Sequence, residues 1–328
     1  MPEKIERKTL TLSAISKQFS DEEAAYKYVE KTRWANGVVC PHCGSVDHAH
    51  YLEPKNGTRA TRTGRKSYRR VWKCADCHEQ FSVLVGTIFE DSKIPLSKWL
   101  LAVQEISADK NGVSSMELAR KLGITQKSAW FMAHRIRYAL NGFPLCEMLK
   151  GTVEADETYF GGKVRNMHKA KREQVIQGRG TVGKTPVFSM VARGGDVRSQ
   201  VLGAVDGESV QQPLKENVDA QAVLNTDTSP VYNQVGKEFA KHETVDHGKE
   251  EYVRGAAHIN TAEGYFSQLK RSIYGTHHHV SEKHLPRYLA EFDFRYSTRK
   301  DEDGTRIENA IKRVAGKRLT YEETISGS

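Results

Sequence analysis

The chain has 328 residues, enough for two or three domains with a sizeable core. Its 50 lysine and arginine residues outnumber its 41 aspartate and glutamate residues, and the formal net charge of +9 favours a polyanionic partner such as nucleic acid. No apolar run approaches the roughly 20 residues of a transmembrane helix and the N-terminus lacks a secretory signal, so we expect no membrane partner and an intracellular location.

Residues 1–33 are assigned to an N-terminal helical segment, and residues 34–92 contain two Cys-x-x-Cys pairs, CPHCG and CADCH. In a reducing compartment this spacing predicts the two knuckles of a tetrahedral Zn²⁺ site, with a pair of redox motifs, or thiols that bind no metal, as the alternatives. The flanking stretches YRRVWKC and EQFSVLVGTIF carry the β-branched and aromatic residues typical of strands. We therefore predict a zinc ribbon with a closed, structural site. Its four ligands are Cys40, Cys43, Cys74 and Cys77.

Residues 93–148 have apolar residues at helical spacing. In the stretch SSMELARKLGITQKSAWFMAHRIRYAL, Ser114 or Ser115 can cap one helix, Gly123 breaks it, and Thr125 can cap a second. Helix, short glycine turn and helix are typical of a DNA-binding helix-turn-helix, with an ordinary helical hairpin as the alternative. The second helix would then present several residues to bases and phosphates: Gln126, Lys127, Trp130, Arg135 and Arg137.

Residues 149–300 alternate between predicted strands and helices, and residues 301–328 are assigned to a C-terminal tail. Three strands come first, in GTVEADETYFGG, TPVFSMVARGG and RSQVLGAVDG; a helix in ESVQQPLKENV, a strand in QAVLNTDTSPVY and two later helices follow. This order indicates an α/β fold with an RNase H-like catalytic core, a mixed sheet flanked by helices.

Two aspartates occupy corresponding positions in that predicted sheet: Asp156 lies in the first strand and Asp227 ends the fourth. The first and fourth strands of an RNase H-like sheet are neighbours, so the two carboxylates would repel each other and need a cation. Their hard oxygen ligands suit Mg²⁺ or Mn²⁺, and two such ions can activate a water or hydroxyl and stabilise the leaving oxygen of a phosphodiester. The alternative is that both are turn residues, especially Asp227 beside serine and proline.

A third ligand is expected from the helix that begins in HINTAEGYFSQLKR. Glu263 and Lys270 are seven residues apart and thus about 20° apart on one helix face, so Glu263 can bind metal while Lys270 contacts phosphate. Asn260 is the alternative ligand, or a helix cap, but its amide neutralises no charge. The buried stripe of this helix is predicted to contain Ala262, Tyr265, Phe266, Leu269 and Ile273.

Five blocks occur in order within residues 20–300: CPHCGS, WKCADCHEQFSVLVGTIFEDSKIPLSKWL, EADETYFGGK, NTDTSPVY and HINTAEGYFSQLKRSIYGTHHHVSEKHLPRYLAEFDFRYSTR. In these blocks the chain resembles insertion-sequence transposases of the DDE superfamily, in particular the ISXO2-like group. The resemblance implies that Asp156, Asp227 and Glu263 are the catalytic triad, with 35 residues between the last two. Lys270 then matches the basic residue of the family, and Asn260 stays open because some relatives use asparagine in the third role.

The resemblance also implies generation of 3′-hydroxyl ends at transposon termini and their transfer into target DNA by synapsed protomers. We therefore expect double-stranded DNA as partner, a homodimer or higher synaptic oligomer, and a cytoplasmic, nucleoid-associated location in a prokaryote. DNA contact is expected of Arg271, and of Lys169 and Arg172 in the basic stretch 161–174, unless that stretch is merely a solvated charge run. The alternatives are an inactive, domesticated DNA-binding protein and a structure-selective nuclease.

Overall fold

The computed structural model of the chain describes residues 12–54, 59–60, 63–64, 66–142, 147–161, 183–246 and 253–326. The chain divides into two compact units, one formed by Met1–Gly142 with Lys300–Ser328 and the other by Phe143–Arg299. Among the helices in the described ranges, none has the length and apolarity needed to cross a membrane.

The first unit begins with two helices and a zinc-ribbon-like sheet. Strands β1, β4 and β5 form an antiparallel sheet in the order β1-β4-β5, while β2 and β3 pair separately. The Glu30 carboxylate accepts hydrogen bonds from Arg70 Nε at 2.7 Å and Trp72 Nε1 at 2.8 Å, which ties the second helix to the sheet. The elements are α1 (Leu12–Gln18), α2 (Glu22–Arg33), β1 (Ala49–Tyr51), β2 (Arg59–Ala60), β3 (Lys66–Ser67), β4 (Trp72–Cys74) and β5 (Gln80–Phe81).

Three helices follow in the same unit: α3 (Leu96–Ala108), α4 (Ser115–Leu122) and α5 (Gln126–Leu140). The predicted caps are present, because Ser114 accepts a hydrogen bond from the Glu117 amide and Thr125 accepts one from the Ser128 amide. Gly123 ends α4 with φ of 60°, a left-handed conformation that glycine adopts without strain. The residues predicted to point inward are all buried: Leu118, Leu122, Ala129, Met132, Ala133 and Ile136.

The second unit is a five-stranded mixed sheet in the order β10-β9-β6-β7-β8, with helices on both faces. Strand β7 is antiparallel to both of its neighbours, β6 and β8, whereas β9 runs parallel to β6 and β10 parallel to β9. The first and fourth strands of this unit, β6 and β9, are neighbours, as expected from the order of elements. The elements are β6 (Thr152–Phe160), β7 (Thr185–Ala192), β8 (Val197–Val201), α6 (Gly207–Asn217), β9 (Val223–Asp227), β10 (Lys241–Val245), α7 (Asn260–Arg271) and α8 (Leu285–Ser297).

Alternation along the strands assigns one face of this sheet to α6 and the other to α7 and α8. Val153 and Leu224 pack with Val210 and Leu214 of α6 in one buried cluster. On the opposite face, Val187, Val191 and Phe160 pack with α7 and α8 in a second cluster. The predicted stripe of α7 is buried there, from Ala262 to Ile273. The even-numbered positions of β6 therefore face α7.

The segment predicted as a tail instead contains two helices, α9 (Asp303–Lys312) and α10 (Tyr321–Ser326), which belong to the first unit. Helix α9 packs against α2 and α3, and its Ile307 and Ile311 are buried. After the end of α9, a backbone bridge joins Ala315 to Thr87 of the same unit. The apolar residues at i, i+3, i+4 and i+7 from Ile307 were the sequence signal for this helix.

Candidate functional site

The four cysteines of the ribbon converge on one point. The sulfurs of Cys40 and Cys77 are 3.7 Å apart, those of Cys43 and Cys74 are 3.6 Å apart, and all four lie within 4.8 Å of one another. A tetrahedron with Zn–S bonds of about 2.3 Å has edges of about 3.8 Å, so the spacing fits a zinc ion. The four thiols thus form the ligand set of a structural zinc site.

Short backbone turns build each half of this site. The Cys40 amide donates to the Ser45 carbonyl at 2.9 Å, and the Cys74 amide donates to the Glu79 carbonyl at 3.0 Å. Each turn brings two thiols to the same side of the chain. Trp34 packs edge to face against Phe81, with ring centres 6.0 Å apart, and joins the apolar cluster around Cys40 and Cys74. With four sulfur ligands and an aromatic cover, the site has no open position for catalysis.

The N-terminal end of α5 carries Lys127 and Trp130, two of the residues predicted to contact DNA. The Lys127 side chain is exposed, and its ammonium lies 4.7 Å from the centre of the Tyr321 ring of α10. Trp130 is half-buried, with its ring centre 6.5 Å from that of Tyr321. The C-terminal helix therefore covers part of this face of α5, a contact that sequence reasoning missed because residues 301–328 had been assigned to a tail.

Arg135 and Arg137, predicted further along the same helix to contact DNA, are buried instead, with 5% and 1% of their surface exposed. Arg135 donates a hydrogen bond to the Glu90 carbonyl at 2.6 Å, and its guanidinium lies 5.4 Å from the centre of the Trp99 ring. Burial lowers the pKa of Arg135 to about 10. Arg135 thus supports the packing of α5 within this unit, and the structure gives it no surface that DNA could reach. The other predicted basic contacts, Lys169 and Arg172, lie outside the described residues.

Asp156 and Asp227 come from neighbouring strands in matching register. Glu154 of β6 is paired with Asn225 of β9, and the two aspartates lie two residues beyond this pair on parallel strands. They therefore share one face and one end of the strand pair. The Asp227 carboxylate accepts a hydrogen bond from the Ser229 amide at 2.9 Å, so it forms the predicted turn as well as lying beside Asp156.

The charge around Asp156 is strongly negative. Burial is the largest cause that raises the pKa of Asp156 to about 8, and the carboxylates of Glu157, Asp227 and Glu263 contribute to the same rise, against one hydrogen bond from the Glu157 amide that lowers it. A proton or a cation is needed to keep such a group stable at neutral pH. The chemistry of this donor set, crowded carboxylate oxygens at the end of two strands, fits a divalent metal ion.

Glu263 and Asn260 lie in the first turn of α7, and both side chains are exposed. Glu263 acts on the pKa of Asp156 through its charge, which places its carboxylate in the electrostatic environment of the two aspartates. Asn260 does not cap the helix, because the amides of Thr261 and Ala262 donate to the Glu154 carboxylate instead.

Lys270 and Arg271 lie near the C-terminal end of α7. Arg271 is exposed and Lys270 is partly exposed. Within the described ranges of the chain, neither forms an ion pair with an acidic residue, so both charges are available to an anion.

Two further acidic residues beside Asp156 were not predicted to have a role. Glu154 is fully buried in β6, and Glu157 accepts a hydrogen bond from the Tyr232 hydroxyl at 2.7 Å on the opposite face of the sheet. The alternation in EADE contained the signal, because residues two apart on a strand share a face. Glu154 therefore faces α7 together with Asp156, and Glu157 does not.

Comparison with known proteins matches two stretches of the chain to described families. Residues 20–80 match the transposase zinc-ribbon domain, and residues 148–297 match the ISXO2-like transposase domain. A protein in the transposable element ISH50 of Halobacterium salinarum is 30% identical over 289 residues, which cover 85% of this chain and 92% of that protein. The four cysteines fall within the first matched range, and Asp156, Asp227, Asn260 and Glu263 fall within the second.

Proposed function

The chain belongs to the insertion-sequence transposases that join a zinc ribbon to an ISXO2-like transposase domain, and we propose that it binds transposon-end DNA, cleaves it and transfers the ends into target DNA. The observation that carries this proposal is the proximity of Asp156 and Asp227 at one end of neighbouring strands, with Glu263 close enough to act on the half-buried carboxyl group of Asp156 through its charge. Such a donor set is suited to metal-dependent phosphoryl transfer. The order of its strands supports an RNase H-like core.

We propose that Mg²⁺, or Mn²⁺ in its place, is held by Asp156, Asp227 and Glu263, in the expected number of two ions. The chemistry that bound cations supply is to polarise the scissile phosphate and lower the pKa of the attacking hydroxyl. Asp156 and Asp227 are fixed by their strands, and Glu263 is fixed by the first turn of α7. Lys270 and Arg271, on the same helix, supply positive charge for the DNA backbone.

Glu263 is preferred to Asn260 as third ligand for two reasons. Its carboxylate adds to the negative charge that Asp156 experiences, and it can neutralise part of the charge of a cation. The exposed Asn260 amide can do neither, although its position at the first residue of α7 allows it to assist through its oxygen.

DNA recognition is proposed for the first unit. Helices α4 and α5 are joined by the turn at Gly123, and we propose that they act as a helix-turn-helix. Gln126 and Lys127 are exposed at the start of the second helix. The zinc ribbon holds the adjoining sheet in place. Since transposition joins two transposon ends in one complex, we also propose that the active form is a homodimer or a higher oligomer.

The proposal can be tested with the purified full-length protein and a supercoiled plasmid that carries the two ends of its own insertion sequence. In Mg²⁺ we expect nicking at the ends and joining of labelled ends to a second plasmid. Binding without nicking would identify an inactive DNA-binding protein, and nicking without joining would identify a nuclease.

The third ligand is tested in the same assay by two variants of α7. We expect Glu263→Gln to abolish cleavage, because an amide replaces a charged ligand, and Asn260→Ala to weaken cleavage without abolishing it. The opposite ranking would assign the third ligand to Asn260. Retention of DNA binding by both variants is the control for folding.

A further inference from the structure

Glu154 is the most completely buried carboxylate near the proposed catalytic site, with none of its surface exposed. A buried carboxylate is costly unless hydrogen bonds and opposite charges compensate for the lost water. Hydrogen bonds and a positive charge compensate for the burial of the Glu154 carboxylate. Its Oε2 accepts hydrogen bonds from the amides of Thr261 at 2.7 Å and Ala262 at 3.0 Å. Its Oε1 accepts from the Thr261 hydroxyl at 2.9 Å and from Arg193 Nε at 2.6 Å, and His258 Nδ1 lies 3.1 Å away.

These contacts join two catalytic elements directly. Glu154 lies two residues before Asp156 on β6, and the amides that it accepts from belong to the first turn of α7, which carries Glu263. The residue that precedes the helix, Ile259, has no polar side chain to cap it. The free amides of the helix N-terminus and their positive potential are therefore satisfied by a side chain from the catalytic strand.

Arg193 and Asn225 extend this connection to the chain that leads into α7. Arg193 donates to the carbonyls of Ala256 at 2.8 Å and His258 at 3.0 Å, in addition to its ion pair with Glu154. Asn225 of β9 also donates to the His258 carbonyl, at 3.2 Å. The start of α7 is thus bonded to β6, to the turn after β7 and to β9, the strand that ends in Asp227.

We propose that Glu154 is a positioning residue, which holds the first turn of α7 against β6 so that Glu263 and Asp156 can share a cation. The inference rests on the proposed function. Glu154 itself is not a metal ligand in this proposal, because its two oxygens are occupied by helix amides, a hydroxyl and a guanidinium. Without the charge of Glu154, Asp156 and Glu263 are still present, but they are no longer held close enough to share a cation.

The test is Mn²⁺ binding by the full-length, zinc-loaded protein, followed from the electron paramagnetic resonance signal of free Mn²⁺ at a temperature where each variant is folded. We expect Glu154→Gln to raise the Mn²⁺ concentration at half-saturation by about 10- to 100-fold, the usual effect of removing an outer partner of a metal ligand. Asp156→Asn should abolish the same binding, which would show that the measured Mn²⁺ binds at this site.

Glu291→Gln is the matched control. Glu291 is also buried in the second unit and also pairs with an arginine, Arg295, at 2.8 Å, but both residues lie on α8. If Glu154 has a purely structural role, both variants lower the melting temperature, and the two folded variants bind Mn²⁺ equally well. The proposal predicts that only Glu154→Gln weakens binding, and equal binding by the two folded variants would overturn it.

Thr261→Val provides a milder variant if Glu154→Gln does not fold. It keeps the shape of the side chain and removes one hydrogen bond to Glu154, so we expect a two- to tenfold rise in the Mn²⁺ concentration at half-saturation, about the effect of one hydrogen bond. Binding at the wild-type concentration would overturn the proposal. A wild-type protein that binds Mn²⁺ through Asp156 but cuts no DNA would refute the proposed function, and the variants would still decide the role of Glu154.

Discussion

The zinc ribbon and the ISXO2-like domain each bring ligand atoms together, but by different physical means. In the ribbon, four sulfurs lie within 4.8 Å of one another, and each pair is formed by one tight turn. In the domain, the carboxylates come from two strands and a helix, and no group of acidic residues within the described ranges is gathered as closely. The four thiols have the spacing of a complete tetrahedral ligand set, whereas the carboxylates lie farther apart and are partly exposed.

The zinc site therefore stabilises the folded ribbon, whereas the carboxylates, without a bound cation, lower the stability of the folded second unit. Zinc binding by preformed thiol turns contributes directly to folding of a small sheet. Carboxylates that lie close together instead repel one another, and this repulsion adds to burial in raising the pKa of Asp156. In our proposal, Glu154 holds the elements that carry them. Removing ligands should therefore have opposite effects on stability in the two units.

The largest expected effect is loss of the ribbon when zinc is removed. Zinc contributes about 10–16 kcal/mol in small zinc domains, so Cys74→Ser should release the ion and unfold the sheet. The tryptophans report this, because Trp34 and Trp72 pack in the cysteine cluster. We expect a red-shifted fluorescence spectrum and zinc loss measured by a chromogenic chelator. His42→Ala is the control; if it releases zinc as well, histidine takes part in the site.

Asp156→Asn should have a smaller effect of a different kind. Cation binding supplies several kcal/mol of transition-state stabilisation, so we expect cleavage to fall by about 100-fold or more. The melting temperature of the cation-free second unit should rise or stay unchanged, because a neutral amide replaces one of several neighbouring carboxyl groups. Single-turnover cleavage and calorimetry measure the two effects. A loss of stability comparable to that of Cys74→Ser would contradict the contrast between the sites.

The stability of the cation-free second unit should also depend on pH. The pKa of Asp156 is raised from 3.8 to about 8 in the folded chain, so the folded state binds its proton more tightly than the unfolded state does. This contribution is fully present below about pH 4 and is lost as the pH rises through about 8. We expect the melting temperature to fall over this range, the fall to be reduced by saturating Mn²⁺, and Asp156→Asn to remove this component. An equal slope in Asp156→Asn would show that other groups cause it.

The smallest expected effect is on DNA affinity. Lys127→Ala should weaken binding to transposon-end DNA and reduce the slope of log affinity against log salt by about 1, as expected for one lost phosphate contact. Fluorescence anisotropy over a range of salt concentrations measures both. Lys312, which pairs with Glu308 at 2.6 Å on α9, offers the control variant Lys312→Ala, for which we expect no change in slope. An unchanged slope in Lys127→Ala would remove Lys127 from the interface.

Sequence reasoning was most successful where structure is determined by neighbours in the chain. The cysteine turns, the caps at Ser114 and Thr125 and the buried stripe of α7 all follow from local spacing and are present. The adjacency of the strands that carry Asp156 and Asp227 followed from the order of elements and is also present. The roles of these aspartates and of Glu263 stay predictions until the variants are measured.

The features that could not be predicted depend on tertiary packing. Nothing local to Arg135 distinguishes a DNA-facing arginine from one buried over Trp99, because the partner is distant in sequence. In the sequence, Glu154 cannot be distinguished from other acidic residues near Asp156, because its role depends on contacts with the start of α7. The tail was misjudged for the same reason, since α9 gains its buried face only from α2 and α3.

The return of α9 to the first unit has a consequence for biosynthesis. The second unit, Phe143–Arg299, is inserted between the two parts of the first, so a ribosome makes it before Ile307 and Ile311 exist. Until then α3 lacks the helix that packs against it, and the nascent first unit exposes apolar surface. The module proposed to read DNA is therefore completed after the module proposed to cut it, and translation arrested upstream of Asp303 would leave the ISXO2-like domain attached to an unfinished first unit.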